Sequence, residues 1–166
     1  MPVVELLHTH HDRKSFDCGN GTLNRFLQQQ ARQNADRKVG VTHVVVEHSG
    51  DSRILGYYTL VTRTVERQLI PTSGLPSGPV GIVLLGRLAV HLEFQGKGLG
   101  KRMLLRAMKQ TADAAQTIGI FALVLDAIDD SARDWYLGLG WGFQELLDDP
   151  RHLFLPVATI RSLDLG

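Results

Sequence analysis

The segment Gln95-Gly96-Lys97-Gly98-Leu99-Gly100-Lys101 places glycines and lysines in alternation at a junction. An apolar, strand-like run, Val83 to Val90, leads into it. An amphipathic helical run, Leu99 to Thr117, leaves it. A strand, a glycine-rich turn and a helix start make an anion cradle. Glycine lets the backbone come close to a phosphate, and the N–H groups of a first helical turn point outward to meet it. Lys97, Lys101 and Arg102 add positive charge. The chemistry this predicts is the holding of a phosphorylated cofactor. Two common phosphate motifs fail on spacing. A Walker A loop requires a glycine where this chain has Gln95, and Ser or Thr where it has Arg102. A dinucleotide fingerprint requires G-x-G-x-x-G, whereas the spacing here is G-x-G-x-G.

The spacing that fits is Gln/Arg-x-x-Gly-x-Gly/Ala, which resembles the acetyl-coenzyme A loop of the GNAT family of N-acetyltransferases. A second match follows an apolar strand, Ile120 to Leu125. The run from Asp129 to Trp141 resembles the family pattern Asn-x-x-Ala-x-x-x-Tyr-x-x-x-Gly-Phe, with Ala132, Tyr136 and Gly140 in place. Asp129 stands for the usual Asn and Trp141 for the usual Phe.

The resemblance implies roles. Acyl transfer from a thioester needs a nucleophilic amine, a polarised carbonyl and a proton for the departing thiolate. Tyr136 becomes the general acid beside the cofactor sulfur; on position alone it would read as a core aromatic. Leu88, Ala89 and Val90 offer backbone groups to the pantetheine arm, while their side chains read as core. Gln95, Gly96, Lys97, Gly98, Leu99, Gly100 and Lys101 hold the pyrophosphate through backbone N–H groups. Arg102 pairs with a phosphate, although Lys101 and Arg102 read equally as a solvated helix face. Asp129 caps the helix of Tyr136 or touches the cofactor. No strong side-chain base stands out; His91 and Glu93 are candidates acting through water.

The N-terminal half narrows the resemblance to one branch. Phe16-Asp17-Cys18-Gly19-Asn20, Leu23-Asn24-Arg25-Phe26-Leu27, Gly56 to Leu60 and Leu85 to Val90 are similar to the toxins of type II toxin–antitoxin systems. What this implies is acetylation of the α-amine of aminoacyl-tRNA, arrest of translation, and a ribbon-helix-helix antitoxin as partner. It also admits a homodimer. An N-acetyltransferase acting on a small-molecule or protein amine is the alternative. A non-catalytic coenzyme A-binding regulator is disfavoured by the intact glycine loop and Tyr136. Arg25, Arg32, Arg37 and Lys38, with Arg87, form the best local patch for RNA phosphates, and read otherwise as an ordinary solvated helix.

These residues need a scaffold. At 166 residues, 43% hydrophobic and 21% charged, the chain fits one domain, 1–166, with a sizeable core. The pattern predicts strands at Val3 to Leu7, Val41 to Glu47, Ile54 to Val65, Val80 to Val90, Ile120 to Ala127, Phe143 to Leu147 and His152 to Leu155. Helices are expected from Leu23, from Leu99, at Ser131 to Leu139 and at Val157 to Leu163, with Asn20 or Thr22 as the first cap and Gln33 to Lys38 ending the first helix. The fold class is α/β, a mixed twisted sheet with helices on both faces, in the order of the acetyltransferase fold. A single cysteine, Cys18, excludes an internal disulfide and reads as structural. With no secretory signal and no run long enough to cross a bilayer, the expected setting is the cytoplasm without a membrane. The net charge of +1 gives no support to a strongly basic nucleic-acid binder. His8, His10 and His11 read as a surface strand end, with no metal.

Overall fold

Alternation along the central strands decides which face each element covers. The computed structural model describes residues Met1–Leu165. Its elements run β1 Val3–Leu6, α1 Gly21–Gln29, α2 Ala31–Asp36, β2 Val41–Val46, β3 Gly56–Glu66, β4 Pro79–Val90, α3 Leu99–Ala114, β5 Ala122–Asp126, α4 Asp130–Gly138, β6 Gln144–Glu145, β7 His152–Pro156 and α5 Val157–Ser162. Seven strands form one mixed sheet in the order β1-β2-β3-β4-β5-β7-β6. The chain divides into two compact units, Met1–Val61 with Gly86–Arg106 and Thr62–Leu85 with Ala107–Gly166.

In the first unit β2 pairs antiparallel with β1 and with β3. Tyr57 of β3 turns to α1: its hydroxyl donates to Leu23 O at 2.6 Å, and its ring lies among Phe16 and Phe26. The neighbouring Gly56 turns the other way, where a Cβ would lie 2.8 Å from Met103 Sδ of α3 and 2.9 Å from Ala89 O. Successive strand residues point to opposite faces, so α1 covers one face here and the first turns of α3 the other. On the α3 side Tyr58 stacks on His43, ring centroids 4.9 Å apart. Burial, with Arg106 nearby, pushes the His43 pKa down to about 4.

The first helix starts as expected: Asn20 Oδ1 accepts from Leu23 N–H at 3.1 Å. Its end differs. The polar run Gln33 to Lys38 is no terminator. The chain breaks at Gln30 and continues as α2, anchored by the buried Ala31, until Lys38 takes a positive φ of 60°.

In the second unit β4 runs parallel to β5, Leu84 opposite Val124, and β7 runs antiparallel on the other side of β5. Parallel neighbours need a long crossover, and α3 provides it. Ile70, Ile82, Ala122, Val124, Leu146 and Phe154 pack as one core cluster. The strand expected at Phe143 to Leu147 shrinks to Gln144–Glu145. Among the described residues no helix is long and apolar enough to cross a membrane.

Candidate active site

The phosphate cradle is built entirely within the first unit. At the end of β4, Ala89 is buried in the cluster of Phe16, Phe26 and Tyr57, and the Arg87 guanidinium lies 3.7 Å from the Phe26 ring centroid. Leu88 and Val90 face α3, 3.9 and 3.7 Å from where a Cβ on Gly100 would sit. The side chains of Leu88, Ala89 and Val90 are thus packing groups, so any ligand role falls to their backbone.

Beyond Val90 the chain is pinned before the loop opens. His91 N–H donates to Leu55 O at 2.8 Å and Leu92 N–H to Asp17 O at 2.9 Å. The Gln95 amide donates to Val90 O at 2.8 Å and to Cys18 O at 3.0 Å. Its side chain is therefore a strut that fixes the loop entrance, a role its place in the motif did not suggest. Gly96 and Gly98 follow with φ of 76° and 81° and no atom within 4 Å of a Cβ position. Only glycine takes such angles without strain. Arg102 N–H reaches Gly98 O at 3.2 Å, the first turn of α3. The amides ahead of it, Gly98 to Gly100, are those a helix start leaves for an anion. Left-handed glycines, open space and a helix N-terminus fit a pyrophosphate. Lys97 sits 5.5 Å over the Phe94 ring, and Lys101 is exposed on the first turn of α3. The Arg102 guanidinium lies 3.4 Å from Pro2 O, a protein partner the sequence did not suggest.

Tyr136 belongs to the second unit. Asp129 Oδ1 accepts from Ala132 N–H at 2.7 Å and so opens α4, which realises its capping role. Tyr136 is 8% exposed and lies edge-on to Phe143 and Trp135. Burial pushes its pKa up to about 12. The helix is braced from both ends. Arg133 donates to Pro150 O at 2.8 Å and pairs with Glu145, while Arg151 of the following loop reaches Asp130 at 3.0 Å. Nothing in the motif announced these arginines.

Other candidates sort by their partners. Glu93 is ion-paired with Arg53, which lowers its pKa, and it is fully exposed. His91 Nδ1 accepts from Glu93 N–H at 3.2 Å, so the neutral ring carries its proton on Nε2. Neither is arranged as a base. His11 departs from the expected surface strand end: it is 4% exposed. Its Nδ1 accepts from His8 N–H at 2.8 Å, and its Nε2 lies 2.8 Å from Glu5 Oε1. Glu5, His10 and His11 do bring ligand atoms within 4.8 Å of one another. With Nδ1 already accepting, however, the neutral His11 keeps its proton on Nε2 and donates it to Glu5, which ties the chain to β1. Cys18 is half-buried with its thiol 3.6 Å from Asn20 O; burial raises its pKa, as suits a structural cysteine. Arg25 and Arg32 lie on α1 and α2, Arg25 exposed and Arg32 half-buried; Arg37 and Lys38 follow, both exposed.

The chain matches the family model described as acetyltransferase (GNAT) domain over residues 39–142. It is 32% identical over 155 residues to the tRNA-acetylating toxin of Mycobacterium tuberculosis, covering 92% of this chain and 90% of that one. Among solved structures, a tyrosine-to-phenylalanine mutant of KacT superposes with a TM-score of 0.91 at 30% identity, over 98% of this chain and 99% of that one. AtaT complexed with acetyl-methionyl-tRNAfMet gives 0.90 at 28% identity, over 98% of each chain. AtaT bound to the C-terminus of the antitoxin AtaR and acetyl-CoA gives 0.83 at 28%, over 97% and 96%. A model match across most of the chain and a near full-length relative agree with the glycine loop and the capped tyrosine helix: the chain belongs to the GNAT acetyltransferase family, in the branch of the tRNA-acetylating toxins.

Proposed function

We propose that this protein is an acetyl-CoA-dependent N-acetyltransferase that modifies the α-amine of aminoacyl-tRNA and so blocks translation. The observation that carries this is the full-length likeness to AtaT in complex with acetyl-methionyl-tRNAfMet. The intact loop and Tyr136 support it. The two units act together as one acetyltransferase domain, 1–166.

In this reading the first unit holds acetyl-CoA, which supplies an acetyl thioester. Backbone groups of Leu88, Ala89 and Val90 line the arm. The loop Gln95 to Lys101 takes the pyrophosphate, Lys97, Lys101 and Arg102 supply positive charge, and Asp129 fixes the start of the tyrosine helix. Tyr136 donates to the departing sulfur. With a pKa near 12 against about 8.5 for a thiol, the phenol does not ionise in advance. It gives a hydrogen bond that strengthens as thiolate charge develops. The acceptor needs little help. An α-amine has a pKa of about 7.7–8.0, and its ester neighbour lowers that, so a large neutral fraction exists at cellular pH. Charged tRNA places the work in the cytoplasm, and a ribbon-helix-helix antitoxin would silence it.

Cell-free translation supplied with acetyl-CoA should stop on addition of the protein and continue with Tyr136→Phe. The near balance of 18 basic against 17 acidic residues favours the alternative, a small-molecule or protein amine. Unimpaired translation together with rapid acetylation of free amines would select that alternative.

A further inference from the structure

The second unit contains a cavity of about 420 Å³ that the cofactor chemistry leaves unused. Its size lies in the lower part of the small-ligand range, about 300–1,000 Å³. Val65, Ile82, Leu84, Val124 and Leu146 form an apolar floor. The floor straddles the parallel strand pair, since Leu84 and Val124 are register partners. The wall is charged and mostly acidic: Glu66, Asp126 and Asp148 against Arg63, with His152 among them. His152 Nδ1 lies 3.0 Å from Asp148 and Nε2 lies 3.6 Å from Asp126. Asp126 closes β5, and the chain runs from it through Asp129 into the helix of Tyr136.

We infer that this cavity receives the acceptor's amino acid and selects aminoacyl groups with apolar side chains, an inference that rests on the proposed action on aminoacyl-tRNA. A ligand matched to the cavity has an apolar body, a cationic end and no anionic group. An aminoacyl ester of Leu, Met or Val has that composition: its α-ammonium meets the carboxylates and its carboxyl group is tied up as the ester. A free amino acid adds a carboxylate, which the acidic wall repels. Glycine leaves the floor unfilled. An aspartyl or lysyl group brings onto the floor a charge that finds no partner among the floor residues.

The test is a set of initial rates for the purified protein with acetyl-CoA and tRNA charged with Leu, Met, Val, Gly, Asp or Lys. Free leucine and a peptide with N-terminal Leu run alongside. A single methylene in an apolar pocket is worth about 10–200-fold in kcat/KM, so Leu, Met or Val should exceed Gly by at least about 100-fold. Free leucine should stay unmodified. Val65→Trp fills the floor and should shrink the apolar-to-glycyl ratio at least ~10-fold, with acetyl-CoA binding by calorimetry reporting that the fold survives. If that variant does not fold, Asp148→Asn, on the exposed wall, should raise the acceptance of free leucine relative to leucyl-tRNA. Equal rates across all charged tRNAs, or a preference for Gly, Asp or Lys, would overturn the inference and leave the proposed function standing. Acetylation of the peptide alone, or of no charged tRNA at all, would overturn the proposed function itself.

Discussion

The glycine loop and the tyrosine helix carry the two halves of one chemistry, and they are built in opposite ways. The loop works through its backbone. Gly96 and Gly98 are exposed, left-handed and surrounded by open space, and the residues that hold the loop in place, Gln95 above all, reach it from one end. The helix works through one side chain. Tyr136 is buried, held edge-on by Phe143, and its helix is capped by Asp129 and cross-braced by Arg133 and Arg151. Binding a diphosphate requires room and N–H groups. Donating to a leaving sulfur requires one hydroxyl kept protonated in a fixed place. The difference teaches that substitutions in the loop should act on affinity and those in the helix on rate.

The sharpest way to break this contrast is Tyr136→Phe. It keeps the ring and removes the hydroxyl, so kcat should fall by about 10²–10⁴-fold while calorimetric binding of acetyl-CoA changes little. Wild-type turnover in the Phe variant would reduce Tyr136 to packing. The pH profile sharpens the point. The rate should rise as the amine loses its proton, around pH 7.7–8.0. It should then stay level through pH 10, because a phenol with a pKa near 12 is still protonated there. An alkaline fall centred near 10 would contradict the burial of that hydroxyl.

Gly98→Glu should do the reverse, costing affinity for acetyl-CoA by about 10²-fold or more. A non-glycine residue at φ 81° is strained by about 1–2 kcal/mol, and the new carboxylate faces phosphates. Unchanged affinity by titration would move the phosphates elsewhere. Reversing Arg25, Arg32 and Lys38 to Glu should weaken tRNA modification by about 10-fold and flatten its salt dependence, by about one unit of slope per lost phosphate contact. Acetyl-CoA binding should be spared. Tight, salt-insensitive modification by that variant would locate the RNA surface elsewhere. The smallest effect belongs to Gln95→Ala. Losing its two bonds, about 1 kcal/mol each at most in so exposed a place, should loosen the loop and cost about 5-fold to 10-fold in acetyl-CoA affinity.

The same contrast explains what could be read from residues alone. Backbone function leaves a sequence trace because glycine is required, so Gly96, Gly98 and Gly100 pointed directly at the cradle. The cap at Asp129 and the strand–loop–helix order were equally local and were found. The end of the first helix was misplaced because polar residues Gln33 to Lys38 carry no periodic signal, whereas the buried Ala31 that anchors α2 is a tertiary fact. His11 was assigned to the surface for the same reason: its partners, the His8 amide and Glu5, are set by how the chain folds back on β1. The cavity of the second unit left no trace. Val65, Ile82, Val124 and Leu146 come from four separated segments, and each reads singly as an ordinary core residue.

The central claim is that the acetyl group ends on the α-nitrogen of an amino acid esterified to tRNA. The direct measurement is mass spectrometry of the 3′-terminal aminoacyl-adenosine, released by nuclease from an aminoacylated tRNA pool incubated with the protein and acetyl-CoA. The account predicts an N-acetyl-aminoacyl-adenosine that is absent with Tyr136→Phe, while free amino acids in the same tube stay unmodified. An unmodified aminoacyl-adenosine from a protein that binds acetyl-CoA and acetylates other amines would contradict it.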